Sequence, residues 1–155
     1  MTKQERYEAA LREVDAILVD EGTLLLDDIA LMATINSVLA NSFEDFFWTG
    51  FYRVFDRTLV VGPYIGTVGC LEIPFGKGVC GAAAAKRQTV IVPDVTKFPG
   101  HIACDAKSKS EIVVPVFNGR NEMIAVLDVD SERLAAFDEE DQAGLERICS
   151  LFANR

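Results

Sequence analysis

The sequence has no C-x-x-C pair and only one histidine, His101, among its 155 residues. The usual zinc ligand sets therefore cannot be completed without help from carboxylates, and no metal or other cofactor is expected. Long apolar runs are also missing. No stretch approaches the roughly 18 uninterrupted apolar residues of a spanning helix, and the opening MTKQERYEAALREVD is charged and helical in pattern. The expectation is a protein with no membrane anchor, signal peptide or transit peptide, placed by default in the cytoplasm, where thiols are kept reduced. Positive charge is scarce as well: 15 Lys and Arg stand against 24 Asp and Glu, a net charge of -9. KRQ at 86–88 and the pair Lys107 and Lys109 are too sparse to track phosphates, so neither nucleic acid nor an anionic membrane surface is an expected partner. The acidic run DEED at 138–141 is read as a solvated face. No internal repeat, linker or low-complexity segment is present.

What is present is enough apolar sequence for one core, and residues 1–155 are read as a single domain. Tyr7, Leu11, Val14 and Leu18 recur at helical spacing after Thr2, an N-cap with Glu5 as its capping-box partner. A second helix is expected over Leu25 to Ala40, carrying Leu26, Ile29, Met32, Ala33, Ile35, Asn36 and Leu39, and both helices should pack on a sheet. From Phe47 onward aromatic and β-branched runs take over: FWTGFYRVF, RTLVVGPYIG, CLEIPF, TVIVPDV, SEIVVPVFN and EMIAVLDVDS. These predict six strands, with tight turns at Asp56-Arg57 and at NGRNE. GKGVCGAAAAKRQ reads as a glycine turn into a short Ala-rich helix, and TKFPGHIACDAKSK as a functional loop. A closing helix runs from Asp138 to Asn154, with Leu145, Ile148, Leu151 and Phe152 on one face. The fold class is α+β: a mostly antiparallel six-stranded sheet with helices largely on one face, leaving the other for a pocket.

The chemistry-bearing residues lie from the first strand onward. Cys149 falls in the apolar stripe of the last helix and reads as packing. Cys80 stands at a helix start, where backbone N–H groups and the helix dipole lower a thiol pKa. Cys104 sits in a polar loop between His101 and Lys107, either of which would stabilise a thiolate, against Asp105. The alternative for each is a thiol that fills space. His101 reads equally as a general base or as a surface hydrogen-bonding residue. Glu111, Asp128 and Asp130 lie in or at the ends of strongly apolar strands, with Asp128 and Asp130 on one face by alternation. Burying them without a cation is costly, so they meet a protein cation, await a ligand cation, or bond to loop amides at strand ends. Trp48 and Tyr52 share one face of the first strand and wall a pocket for a small apolar group, or are core aromatics, the reading that spacing alone favours.

With these residues in view, the chain resembles the free methionine-(R)-sulfoxide reductases, a family built on the GAF fold. The likeness runs from FFWTGFY to FDEED. It is carried by W-x-G-F-Y at Trp48 to Tyr52, GP-x-x-G-x-x-x-C ending at Cys70, IPFGKGVCG through Cys80, FPGHIACD through Cys104, SEIVVP with Glu111, and LDVDS with Asp128 and Asp130. Departures are Thr49, where an aliphatic residue is expected, and GTVG before Cys70. The resemblance implies that Cys104 attacks the sulfoxide sulfur, methionine leaves, and the sulfenic acid is resolved by Cys70 as a disulfide. Cys80 is implied as a third redox residue and thioredoxin as the reductant. One of Glu111, Asp128 and Asp130 would protonate the sulfoxide oxygen, the others would grip the ammonium, and Trp48 and Tyr52 would enclose the S-methyl end. Preference for the free R epimer is likewise implied by the family. The competing classes are a non-enzymatic, ligand-binding GAF signalling module, which the lack of sequence after the last helix disfavours, and a thiol redox sensor. A homodimer stays open.

Overall fold

A computed structural model describes residues 1–20, 27–102 and 104–154. Six strands form one antiparallel sheet in the order β3-β2-β1-β6-β5-β4. They are β1 (Trp48–Phe55), β2 (Thr58–Ile65), β3 (Glu72–Pro74), β4 (Val90–Val92), β5 (Ser110–Phe117) and β6 (Met123–Ser131). The β1–β2 connection is the expected two-residue turn, with Asp56 at φ 57°, a left-handed conformation that Asp tolerates better than most residues. β3 and β4 each shrink to three residues of the runs that predicted them.

Alternation along the three central strands sorts side chains onto two faces. Phe51, Ile112, Val114, Val116, Ala125, Leu127 and Val129 form the main core with three helices: α1 (Lys3–Asp20), α2 (Asp28–Ser42) and α4 (Glu139–Cys149). The opposite face carries Trp48, Tyr52, Val113 and Val126, covered by one short helix, α3 (Gly78–Lys86). The expected α+β layout, with helices largely on one face, is therefore present. Among the described residues no helix is long and apolar enough to cross a membrane.

Local signals account for most helix ends. The Thr2 hydroxyl accepts from the Glu5 N–H at 3.1 Å while the Glu5 carboxylate accepts from the Thr2 N–H at 2.9 Å, the reciprocal cap read from the sequence. Asp138 caps α4 in the same way, with Asp141 as its partner. Three expectations are refined. α1 packs chiefly on α4 and α2, with Tyr7, Ala10 and Val14 in the core that the sheet residues share. α2 starts at Asp28, behind an Asp27 cap, and buries Leu31, Met32, Ile35, Val38 and Leu39 while Ile29 and Ala33 face solvent; Leu25 and Leu26 lie outside the described residues. The closing helix yields to a 3-10 turn, Ser150–Asn154, after Cys149.

Candidate active site

Register builds the site from the sheet. Trp48 of β1 pairs with Asp130 of β6, which pairs with Glu111 of β5. Two residues along on the same face, Gly50 pairs with Asp128, which pairs with Val113. Two adjacent cross-strand rows thus place three carboxyl groups and an indole side by side. Gly50 is required here, because a Cβ at that position would lie 2.2 Å from the Tyr64 Cβ and 2.8 Å from the Trp48 ring. Trp48 stacks between Tyr52 and Tyr64, with centroids 5.7 and 4.9 Å away, and its indole N–H donates to the Thr67 carbonyl at 2.8 Å. The structure joins the two readings of Trp48 and Tyr52: both are buried in the smaller core and both line the pocket.

The pocket is a cleft with about 510 Å³ of empty space, open solvent at its mouth included. Glu111, Asp128, Asp130 and Cys80 line it from the buried side, and His101, Ile102, Cys104 and Asp105 belong to the loop across it. Cys104 is disulfide-bonded to Cys70, with Cα atoms 5.5 Å apart. A second tie lies close by in sequence: the Thr67 hydroxyl donates to the Asp105 carboxylate at 2.6 Å, which together with the Lys107 N–H holds Asp105 below the usual carboxylate range. The two cysteine-bearing loops are thus joined by a covalent bond and a hydrogen bond.

Burial dominates the electrostatics. Glu111, Asp128 and Asp130 are all raised well above ordinary carboxylate values, first by desolvation and then by one another's charge. No lysine or arginine forms a salt bridge with them among the described residues, although Lys77 lines the same pocket. Of the alternatives, a paired protein cation is not the one found, and the three acids face the pocket. One oxygen of Asp128, Oδ1, is buried without any hydrogen-bond partner. The lowered thiol pKa expected at Cys80 is overturned. Although Cys80 is in the first turn of α3, it is buried against Asp128, Glu111 and Asp130, and desolvation followed by those negative charges pushes it well up. A dipole of about half a charge does not offset full burial beside acids. Its thiol donates to Glu111 Oε2 at 3.9 Å. His101 is half-buried at the pocket and burial lowers its pKa, so it is neutral near pH 7. Lys107 does not line the pocket. Cys149 is buried among the apolar residues of the main core, as expected.

Sequence reasoning missed Thr67, Lys77 and Ser108, which also line the pocket. Lys77 had a usable signal, since it precedes α3 three residues before Cys80. Thr67 and Ser108 had none, because their places depend on loop paths.

A profile of the GAF domain family matches residues 4–155. The chain is 45% identical over 154 residues to GAF domain-containing protein A of Dictyostelium discoideum, covering 99% of this chain and 94% of that one. It is 42% identical over 148 residues to the free methionine-R-sulfoxide reductase of Escherichia coli, covering 96% and 87%. The X-ray structure of the free methionine-R-sulfoxide reductase of Neisseria meningitidis in complex with its substrate superposes with a TM-score of 0.91 at 42% identity, covering 99% of this chain and 90% of that one. A cysteine pair beside a pocket of three buried acids, in a chain matched to these proteins over nearly its whole length, agrees with the likeness: the chain belongs to the free methionine-R-sulfoxide reductase family of GAF-domain proteins.

Proposed function

We propose that this chain reduces free L-methionine-(R)-S-oxide to methionine, and that the domain of residues 1–155 suffices for turnover. The observation that carries the reading is the Cys70–Cys104 disulfide beside a pocket whose three buried carboxyl groups form no salt bridge with a lysine or arginine among the described residues. The substrate ammonium supplies the missing positive charge, and ionised acids gain from it what burial took away. A residue within a peptide has an amide in that position, which accounts for selection of the free amino acid.

In the reduced chain, the Cys104 thiolate attacks the sulfoxide sulfur while one of Glu111, Asp128 and Asp130 protonates the departing oxygen. Raised carboxyl pKa values suit a proton donor near neutral pH. The S–O bond breaks, and the oxygen leaving as hydroxide attacks the Cys104 sulfur. The bond between the two sulfurs breaks with its electron pair on the thioether, so methionine leaves and Cys104 carries the oxygen as a sulfenic acid. The Cys70 thiol then displaces it as water, forming the disulfide seen here. A dithiol reductant of the thioredoxin type restores both thiols and is itself oxidised to a disulfide, so the sum is sulfoxide plus dithiol giving thioether, disulfide and water. Cys104 is exposed, and Val68 and Leu71 beside Cys70 are 82% and 74% exposed, an accessible apolar rim for that partner. A cytoplasmic, thiol-reducing setting follows from this requirement. Cys80, buried and protonated, serves as the reserve redox residue.

Pure protein mixed with thioredoxin, its reductase, NADPH and each sulfoxide epimer tests the reading. NADPH consumption is expected with the R epimer and little with the S epimer; equal rates, or none, overturn it, and disulfide formation without turnover would indicate a redox sensor. In a single turnover without thioredoxin, Cys104→Ser releases no methionine. Cys70→Ser releases about one equivalent and stalls as a sulfenic acid that dimedone traps. A burst that survives Cys104→Ser but is lost in Cys80→Ser reverses the assignment.

A further inference from the structure

We propose that Cys80, Glu111 and Asp128 also form a binding site for a thiolate-seeking divalent cation of the Zn²⁺ class, and that such an ion excludes the substrate ammonium from the pocket. The exclusion rests on the ammonium reading above; the cation site does not. One ligand atom from each of the three residues lies within 4.8 Å of the others, and the Cys80 sulfur is 3.9 Å from Glu111 Oε2. A tetrahedral ion with bonds of about 2.0 to 2.3 Å spaces its ligands about 3.5 Å apart, so a contraction of at most about 1.3 Å closes the set. All three side chains are buried. A second observation points to a missing partner: Oδ1 of Asp128 is buried with no hydrogen bond.

The ligands stand on regular elements, Glu111 and Asp128 on the adjacent strands β5 and β6 and Cys80 in the first turn of α3. The set is thus formed before any ion arrives. Its composition selects the ion. One thiolate with two carboxylates suits Zn²⁺, Co²⁺ or Cd²⁺, whereas Mg²⁺ and Ca²⁺ seek oxygen alone. On binding, the thiol proton and any proton held by Glu111 or Asp128 leave to solvent, so that three negative charges meet two positive ones, with the fourth coordination position turned to the pocket and filled by water. Cys80 takes no part in the disulfide, so its sulfur is available as a ligand in the oxidised chain. Scarcity of histidine and of cysteine pairs hides such a site in the sequence, because carboxylates supply two of its three ligands.

The test uses the full chain with the Cys70–Cys104 disulfide intact, which leaves Cys80 and Cys149 as the free thiols. Titration with Co²⁺ or Cd²⁺ is expected to give one equivalent of a thiolate-to-metal charge-transfer band, displaced by Zn²⁺ but not by Mg²⁺, kept in Cys149→Ser and lost in Cys80→Ser. Asp128→Asn, which keeps the side-chain volume, should weaken the metal by more than the roughly 10- to 100-fold typical of losing an outer-shell partner. No band, or a band unchanged in both variants, overturns the site and leaves the reductase reading untouched. Saturating methionine should shift the titration to higher metal concentration. A Cys80-dependent band that methionine does not move overturns the exclusion, and with it the ammonium reading, while the cation site stands.

Discussion

Asp141 near the start of α4 and Asp128 in β6 are almost equally withdrawn from water, at 1% and 5% exposure, yet their surroundings differ completely. Asp141 accepts from the Tyr7 hydroxyl at 2.6 Å, from the Lys3 ammonium at 2.7 Å and from the Asp138 N–H at 2.8 Å. Asp128 has Glu111, Asp130 and Cys80 as neighbours, and its Oδ1 has no partner at all. A buried carboxylate without a cation is costly, and folding removes that cost at Asp141 by tying the first helix to the last. At Asp128 the cost is left in place. The difference separates an acid that serves the fold from acids held ready for something outside it.

The largest expected effect comes from neutralising the second group. Glu111→Gln and Asp128→Asn should lower kcat/KM for free methionine sulfoxide by about 2 to 5 kcal/mol, the usual cost of removing one partner from a desolvated charge pair. Reduction of the disulfide by thioredoxin should proceed as in the parent chain, and thermal stability should hold or rise. A variant that loses stability but keeps its substrate kinetics would break the contrast, since these acids would then be structural.

Asp141→Ala should do the reverse. It strands a buried Tyr7 hydroxyl and removes the capping box of α4, for a loss of about 1 to 3 kcal/mol in chemical denaturation, with kcat/KM unchanged at temperatures where the variant is folded. Lost turnover at full stability would show that the α1–α4 junction communicates with the pocket.

A smaller effect separates the groups by pH. Because Glu111, Asp128 and Asp130 have folded pKa values above their unfolded ones, the folded state binds more protons, and stability falls as pH rises from about 4 toward the raised values. Below the unfolded pKa the penalty is absent. Melting temperatures of the ligand-free chain across this range should decline less steeply in Asp128→Asn than in the parent, and less steeply with saturating methionine. Identical slopes in all three would mean that the acids ionise in the folded pocket as readily as in the unfolded chain.

How far the sequence showed this arrangement depends on the distance over which each signal acts. Alternation placed Asp128 and Asp130 on one face, and the Thr2 and Glu5 cap was readable because its partners are three residues apart. DEED looked solvated, and Glu139 and Glu140 are exposed, but Asp141 is buried by Tyr7, 134 positions away. Helix-start reasoning failed at Cys80 for the same reason, as its acidic neighbours arrive from strands more than thirty residues later. In α2 a helical period was visible, but which stripe faces the sheet depends on the packing partner, so Ile29 and Ala33 were misplaced.

The two free cysteines repeat the contrast between the acids and support the smallest prediction. Cys80 and Cys149 are both 4% exposed, and burial raises both thiols, so neither exposure nor acidity distinguishes them. Their neighbours do. Cys80 touches Glu111 at the pocket, whereas Cys149 belongs to the apolar core beneath the other face of the sheet. Cys149→Ser replaces sulfur with a smaller, more polar oxygen in that core, and a loss of about 1 kcal/mol is the ordinary result of such a change. Single-turnover methionine release and steady-state turnover should both match the parent. A fall in turnover at unchanged stability would mean that Cys149 takes part in thiol exchange, which requires the core to open on the timescale of the reaction.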